Sequence, residues 1–369
     1  MAGNPVDSGA TRLQGADPDV VRAAIDSRDP LPGTRGFAGL VDGRLVRDVL
    51  GRYPLFVEWN DPTTWAFEPG NLLAPVAVPA GHVQDHQGFT QYWTLPEPSL
   101  QRGRDAIETV RSALKTALGT VETGGLAIAF SGGVDSALLA ARLDVPLYVA
   151  GFPESHDIAA AREAAAFLDA DLRVVELDHE TLRARVPDVV AATGRTNAMD
   201  VEIALPLYQV ASTAASDGFD RLAVGQGADE LFGGYAKVAN PSAHSRVAAD
   251  TVRAARREGL ETLPDQLERD VLAIRAGGVE PVAPLLDDRV VESALSLPGS
   301  LLVSARGDRK YAFRLASRAW VPDRIAFREK KALQYGSLVA RELDRQARQA
   351  GFKRRMDDHV TQYVESIED

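Results

Sequence analysis

The 369-residue sequence contains no cysteine. That absence excludes disulfides, cysteine-ligated metal sites and any thiol nucleophile. No apolar run approaches the roughly 20 residues that a membrane span needs. The amino terminus, MAGNPVDSGATRLQGADPDV, also lacks the basic start and apolar core of a signal peptide. These absences predict a cytoplasmic protein without a membrane partner.

Lysine is scarce, and acidic residues are in excess. The formal net charge is −11, and 41 residues are lysine or arginine. The lysines are Lys115, Lys237, Lys310, Lys330, Lys331 and Lys353. An acidic chain with no basic face and no interleaved aromatic residues argues against a nucleic-acid partner. A hydrophobic content of 45% predicts a globular chain, and its length is enough for two domains.

A short apolar run leads directly into a glycine turn. Residues 126–130, LAIAF, predict a strand that is buried on both faces, and residues 137–143 have helical composition. Between them lies SGGVDS, residues 131–136. Glycines let the chain turn sharply and let an anion approach the backbone amides, and a helix amino terminus favours a phosphate. The pattern therefore predicts an anion site that includes Ser131, Gly132, Gly133 and Ser136.

Asp135 is the unusual member of this turn, because a carboxylate repels phosphates. Two interpretations are open. Asp135 caps the following helix, or it is a ligand of a Mg²⁺ ion that bridges the phosphates. No lysine follows the turn, so it is not the phosphate loop of the Gly-x-x-x-x-Gly-Lys-Ser/Thr type.

A second apolar run, residues 222–224, enters a turn that contains Gly225, Gln226 and Gly227, followed by Asp229 and Glu230. In a parallel α/β sheet, ligands bind beyond the carboxyl ends of the strands. We therefore expect both turns at the same edge, with one Mg²⁺ shared by Asp135 and Asp229. The alternative is that Asp229 and Glu230 only cap a short helix.

The rest of the chain predicts an α/β fold, a parallel sheet flanked by helices. We expect a small β-rich unit between residues 36 and 96, and a mostly helical carboxyl-terminal part from about residue 260. The expected strands of the parallel sheet are 126–130, 146–152, 172–177 and 221–225. The expected helices are 100–118, 136–143, 157–169, 200–216 and 244–257.

SGGVDS resembles the pyrophosphate loop of the N-type ATP pyrophosphatases. Together with GQGADELFGGY, residues 225–235, it looks like the synthetase domain of the asparagine synthetase family, a branch that includes β-lactam synthetase. The resemblance covers roughly residues 100–340. VAGF, residues 149–152, resembles the strand that holds the adenosine. Lys310 and Arg314 match a Lys-x-x-x-Arg helix, and Lys330 matches a phosphate-contacting lysine.

The resemblance implies an adenine nucleotide α-hydrolase-like, PP-loop fold that uses ATP and Mg²⁺ and cuts ATP between its α- and β-phosphates. It implies catalytic roles for Lys330, Asp229 and Gln226, and metal binding by Asp135 and Asp229. The implied ATP and pyrophosphate contacts are Ser131, Gly132, Gly133, Asp135, Ser136, Gly151, Gly225, Gly227 and Lys330.

The sequence departs from the family in three places. Gln226 stands where the family usually has a glutamate that is linked to the adenylated intermediate, and Val282 stands where it has an arginine. Residues 44–96 resemble only the latter half of the family's glutaminase domain. That domain needs an amino-terminal cysteine as nucleophile, so we expect no glutaminase activity from this chain.

The expected domains are a polar, partly loose segment over 1–33, a degenerate glutaminase-like unit over 34–98, the ATP pyrophosphatase domain over 99–345 and a helical tail over 346–369. The expected reaction joins aspartate and ammonia at the expense of ATP, through a β-aspartyl adenylate, and releases AMP and pyrophosphate. The nitrogen would be free ammonia or come from a separate glutaminase. The alternatives are a ligase for another carboxylate and a nucleotide-binding regulatory protein without synthesis.

Overall fold

A computed structural model describes residues 12–85, 88–153, 155–241, 249–328 and 334–368. The strands, in chain order, are β1 Leu13–Gln14, β2 Ala38–Val41, β3 Arg44–Arg47, β4 Phe56–Glu58, β5 Asp61–Ala66, β6 Pro75–Ala77, β7 His82–Asp85, β8 Gly88–Gln91, β9 Leu126–Ala129, β10 Leu147–Gly151, β11 Leu172–Glu176, β12 Arg221–Ala223 and β13 Glu280–Val282.

The helices are α1 Pro18–Ser27, α2 Gly103–Gly119, α3 Val134–Leu143, α4 His156–Leu168, α5 His179–Thr193, α6 Ala198–Ser216, α7 Ala228–Phe232, α8 Ala236–Ala239, α9 Val252–Glu261, α10 Leu263–Ala276, α11 Asp288–Leu295, α12 Gly299–Leu302, α13 Tyr311–Ser317, α14 Asp323–Ala326, α15 Gln334–Gln349 and α16 His359–Glu368. None of these described helices combines the length and the apolar composition that a bilayer crossing requires.

The chain forms two compact units. The first contains the described residues up to Val121 together with 225–268 and 283–319. The second contains 122–224, 269–282 and the described residues from Trp320 onward. The first unit thus combines the amino-terminal β-rich region with two segments that the resemblance assigns to the ATP pyrophosphatase domain. The domain boundaries expected at residues 33, 98 and 345 stay predictions.

The second unit is built on a five-stranded parallel sheet in the order β11-β10-β9-β12-β13. The predicted α/β architecture is therefore confirmed, and β9, β10, β11 and β12 lie within the expected ranges. The fifth strand, β13, was not expected, since it lies in the part predicted to be mostly helical. β9 is the central strand, and its first three residues are fully buried, as the uninterrupted apolar run indicates. Part of the helix predicted over 244–257 falls on residues outside the described part of the chain, and α9 begins only at Val252.

The first unit contains two antiparallel sheets, ordered β1-β2-β3-β7-β8 and β5-β4-β6. A hydrophobic cluster lies within this β-rich region; its buried residues are Ala38, Leu45, Leu55, Val57, Trp65, Phe67 and Val78. Upstream, α1 begins after the capping side chain of Asp17 and has Pro18 in its first turn, where a proline fits a helix. The segment 1–33 is predicted to be partly loose, but Pro18–Ser27 within it form a regular helix.

A buried arginine connects the amino-terminal β-rich region to α11. Arg52 is paired with Asp48 at 2.8 Å and with Asp288 at 2.7 Å, and all three side chains are almost fully buried. Arg52 also donates a hydrogen bond to the carbonyl oxygen of Leu286 at 2.7 Å. Thr34 donates to Asp288 through its backbone N–H at 2.7 Å. Since buried charges are stable only when they are paired and hydrogen-bonded, these contacts fix the β-rich region to the residues around Leu286.

We expect Arg52→Met to lower the free energy of unfolding by about 3–5 kcal/mol, because it leaves two buried carboxylates without their cation. Chemical denaturation followed by tryptophan fluorescence measures the loss. Burial already raises the pKa of Asp288. In the variant this carboxyl group takes up a proton more readily, so the loss should shrink as the pH falls.

Arg22→Met is the matched control, since Arg22 forms its ion pairs with Asp19 and Asp42 at the exposed surface. We expect no measurable change in that variant. Equal stability of Arg52→Met and the parent protein would show that the buried pairs do not hold the β-rich region in place.

Candidate functional site

The turn predicted to bind an anion follows the central strand of the parallel sheet. Phe130, the residue after β9, still donates its N–H to Tyr148 of β10 at 2.7 Å. Beyond it the turn closes on itself, because the Ser136 hydroxyl accepts the N–H of Ser131 at 3.1 Å. The two hydroxyl oxygens of Ser131 and Ser136 lie 3.3 Å apart. Two hydroxyl groups therefore lie together at the carboxyl end of β9, as the sequence predicts.

Helix α3 begins directly after this turn and has no side-chain cap. Its capping residue is Gly133, and no side chain bonds to the first N–H groups of the helix. Asp135 is the second helical residue, so the interpretation of Asp135 as the capping residue is wrong. Uncapped N–H groups and the helix dipole make this end of α3 suitable for a phosphate.

Gly132 packs tightly against helix α4. Its φ is +73°, and a Cβ atom at this position would lie 2.8 Å from the carbonyl oxygen of Ala160. The same oxygen accepts a hydrogen bond from Arg328 at 3.2 Å, and Arg328 also pairs with Glu163 of α4. The Arg328 side chain is therefore anchored to α4 next to Gly132. Lys330, the predicted phosphate ligand and catalytic residue two positions later, lies outside the described residues.

Gly151 is the last residue of β10, which pairs with β9 in parallel. Because both strands run in the same direction, Gly151 and the Ser131–Ser136 turn lie at the same edge of the sheet. A Cβ atom on Gly151 would lie 2.9 Å from Ile158 and 3.0 Å from the Ser155 hydroxyl. The close packing with α4 accounts for a glycine here, and the predicted adenosine contact stays a prediction.

The second glycine turn belongs to the first unit. Gly227 has a φ of +92° and begins α7. A Cβ atom there would lie 2.5 Å from Leu286, so only glycine lets the chain enter the helix at this point. Gly225 and Gln226, which precede it, are half-buried.

The two acids of this turn have different partners. Glu230 is buried, accepts the N–H of Gly227 at 3.1 Å and accepts the Tyr235 hydroxyl. Burial raises the pKa of Glu230 above its usual value, although the Tyr235 hydrogen bond opposes the shift. The helix-capping interpretation is therefore correct for Glu230, which is a structural acid.

Asp229, in contrast, forms an ion pair with Lys310 at 2.8 Å. The Lys310 side chain is only 2% exposed, and Lys310 has a φ of +56° at the start of α13. The neighbouring Arg309 donates to the carbonyl oxygen of Gly234 at 2.8 Å, on the far side of the same turn. The sequence marked Lys310 only by its match to the Lys-x-x-x-Arg helix. Because Lys310 is buried beside Asp229, it holds the second glycine turn in place. Only the tertiary fold reveals this role.

No group of three or more histidine, cysteine or acidic side chains suited to a metal occurs among the described residues. Mg²⁺ is commonly held by one or two carboxylates together with substrate phosphates. Asp135, in the first turn of α3 beside the predicted anion site, fits such an arrangement. The negative charge of Asp229 is already balanced by the ammonium group of Lys310. The shared ion stays a prediction, and the two residues belong to different compact units.

Parallel strands, a glycine turn after the central strand and an uncapped helix end define the class of α/β proteins that bind a phosphate-bearing ligand at the carboxyl edge of the sheet. A family model described as asparagine synthase matches residues 109–276 and 253–365. These matches cover more than half of the sequence. The chain therefore belongs to the asparagine synthase family.

The curated relatives carry matching names. A Methanocaldococcus jannaschii protein, named provisionally as asparagine synthetase 1 (glutamine-hydrolyzing), is 31% identical over 71% of this chain and 54% of its own length. Asparagine synthetase B (glutamine-hydrolyzing) of Escherichia coli is 23% identical over 87% of this chain and 65% of its own length. An asparagine synthetase (glutamine-hydrolyzing) of Brassica oleracea is 24% identical over 87% and 62%, respectively. The chain thus spans roughly half to two thirds of these relatives.

Gly132→Ala should distort the anion turn, because the new methyl group meets the Ala160 carbonyl and the residue must keep a positive φ. We expect a stability loss of about 1–3 kcal/mol and a much weaker ATP affinity, measured by thermal denaturation and by calorimetric titration with MgATP. Gly124→Ala is the control, since nothing lies within 4 Å of a Cβ atom at that glycine. Unchanged ATP affinity in Gly132→Ala would argue against ATP binding at this turn.

Proposed function

We propose that this protein is an ATP-dependent, AMP-forming amide synthetase that activates a carboxylate, with aspartate as the first candidate. The observation that carries the proposal is the Ser131–Ser136 turn at the uncapped start of α3, in a chain of the asparagine synthase family. The predicted Mg²⁺, if held by Asp135, would offset the charge of the phosphates that gather at this turn.

In the proposed reaction a substrate carboxylate oxygen attacks the α-phosphorus of ATP, and the bond to the β-phosphate bridging oxygen breaks. Pyrophosphate then leaves towards the hydroxyls of Ser131 and Ser136 and the first N–H groups of α3. These donors are fixed before the reaction, so they stabilise developing negative charge without reorganisation. Ammonia attacks the carbonyl carbon of the acyl adenylate, AMP leaves, and the nitrogen loses a proton to give the amide.

The proposed nitrogen source is free ammonia or a separate glutaminase. The names of the relatives describe them as glutamine-hydrolyzing, but this sequence has no cysteine to attack glutamine. Instead, its amino-terminal β-rich region holds Leu286, which packs over Gly227, through the Arg52 contact. We therefore assign this region a supporting role.

The test is the release of AMP and pyrophosphate from ATP, measured with a panel of amino acids and ammonium. We expect release that depends on one acceptor, and an amide product. Asp135→Asn should lower the rate at least about tenfold, as losses around metal ligands do. Asp144→Asn, an exposed residue at the other end of α3, is the control and should retain the parental rate.

Glutamine in place of ammonium should give no amide and no free glutamate. Glutamate release by the purified chain would contradict the proposed nitrogen source. ATP binding without release of pyrophosphate with any acceptor would favour the regulatory alternative.

A substitution at Gln226 tests whether the acceptor is aspartate or another carboxylate. A glutamine keeps an acceptor oxygen but lacks the charge and basicity of the family's glutamate. We expect Gln226→Glu to raise aspartate-dependent pyrophosphate release, whereas the exposed control Gln101→Glu should change nothing. A fall in the activity of Gln226→Glu with a different acceptor would favour the alternative of a ligase for another carboxylate. The reason is that an added negative charge near phosphates is repulsive.

A further inference from the structure

Helix α6 runs from the carboxyl edge of the parallel sheet to its amino edge. Its last turn lies at the amino edge, because Asp217 accepts hydrogen bonds from Tyr148 and Arg173, the second residues of β10 and β11. Three residues later, Asp220 donates its N–H to Gly125, just before β9. Along its length α6 packs against β9, β10 and β11.

The length of α6 places its first turns at the opposite edge. Nineteen residues span about 28 Å at 1.5 Å per residue, whereas strands of five residues, such as β10, span about 17 Å. Glu202 lies 14 residues before the end of α6, or about 21 Å from it. Glu202 is therefore level with or beyond the edge that carries the Ser131–Ser136 turn and Gly151.

Glu202 is half-buried at this edge. Among the residues that the structure describes, none donates a hydrogen bond to it or forms an ion pair with it. Burial alone raises the pKa of Glu202 to about 7. Charged residues on α6 and on the helices that pack against it have other partners. These pairs are Asp200 of α6 with Arg195 and Arg269, Arg185 of α5 with Asp188, Glu342 of α15 with Arg345, and Glu365 of α16 with Thr196.

Two exposed apolar side chains flank this carboxylate. Met199 is 65% exposed and Ile203 is 37% exposed. Met199 lies three residues before Glu202 and four residues before Ile203, so its side chain shares a face of α6 with each of them. The surface therefore combines an aliphatic patch with a carboxylate that lacks a cation, at the edge of the sheet that carries the Ser131–Ser136 turn.

We propose that Glu202 is a specificity-determining residue that binds the ammonium group of the carboxylate substrate. The inference rests on the proposed function, since it assumes that an amino acid is adenylated beside the anion turn. A carboxylate at the edge where phosphates are proposed to bind gains from a cation, and no described residue supplies one. An ammonium group suits a single carboxylate because it is a compact point charge with three donors, while Met199 and Ile203 can contact the aliphatic part of the same substrate.

The experiment separates acceptor binding from ATP binding in the full-length chain. Pyrophosphate release with the amino-acid panel identifies the acceptor, and its N-acetylated form serves as the probe without an ammonium group. We expect Glu202→Gln to raise the KM of the acceptor about tenfold or more, as loss of a charged hydrogen bond does, with the KM of ATP within twofold of the parent. Glu122→Gln, an exposed glutamate at the amino edge of the sheet, is the control and should match the parent.

Two further readouts exclude a merely structural role. The KM of the acceptor should fall as the pH rises through about 7 in the parent, because Glu202 loses its proton there, and Glu202→Gln should lack this dependence. The N-acetylated acceptor should be poor for the parent and the variant alike.

An unchanged acceptor KM in Glu202→Gln, or equal use of the N-acetylated acceptor by the parent, overturns the proposal. Absence of pyrophosphate release with every amino acid refutes the proposed function instead. In that case, calorimetric titration with L-aspartate in the presence of a non-hydrolysable ATP analogue still tests Glu202. Binding that weakens in Glu202→Gln supports the proposal, and no binding to the parent overturns it.

Discussion

The buried contacts of Arg52 are the constraint on which the first unit depends. One guanidinium group pairs with Asp48 and Asp288 and donates to the carbonyl oxygen of Leu286. The Leu286 side chain in turn occupies the space that a Cβ atom on Gly227 would need. A residue of the amino-terminal region thereby fixes a turn that lies far away in sequence. A β-rich region without a nucleophile can therefore still determine the geometry of an acidic glycine turn.

The adjacent acids Asp229 and Glu230 of that turn have different roles, because their surroundings differ. Glu230 points into the protein and satisfies the N–H at the start of α7, whereas Asp229 is balanced by the ammonium group of Lys310. A buried lysine is costly unless it is paired, so each member of this ion pair holds the other in place. Gln226, two residues from Ala228 at the start of α7, adds no further negative charge. Glutamine here keeps the turn less acidic than the family's usual pattern.

The carboxyl edge of the second unit carries hydrogen-bond donors and a carboxylate, which are the groups of our two binding proposals. N–H and hydroxyl donors follow β9, and a carboxylate without a cation lies on the first turns of α6. An amino acid that reacts with ATP presents complementary groups, a carboxylate that must reach the phosphate and an ammonium group that must be held elsewhere. The fold brings both sets of protein groups to one edge, because the parallel strands end there and α6 begins there.

The sequence by itself determined the parallel α/β unit and both glycine turns. These features depend on local patterns: apolar runs that predict buried strands, glycines that allow tight turns, and helical composition after them. The sequence did not reveal the Lys310–Asp229 pair, the Arg52 contacts or the unpartnered state of Glu202. Those depend on residues that are distant in the chain, up to 236 positions apart for Arg52 and Asp288. Only the tertiary structure decides them, because the free energy of a charge is set by its burial and by the partners that folding brings to it.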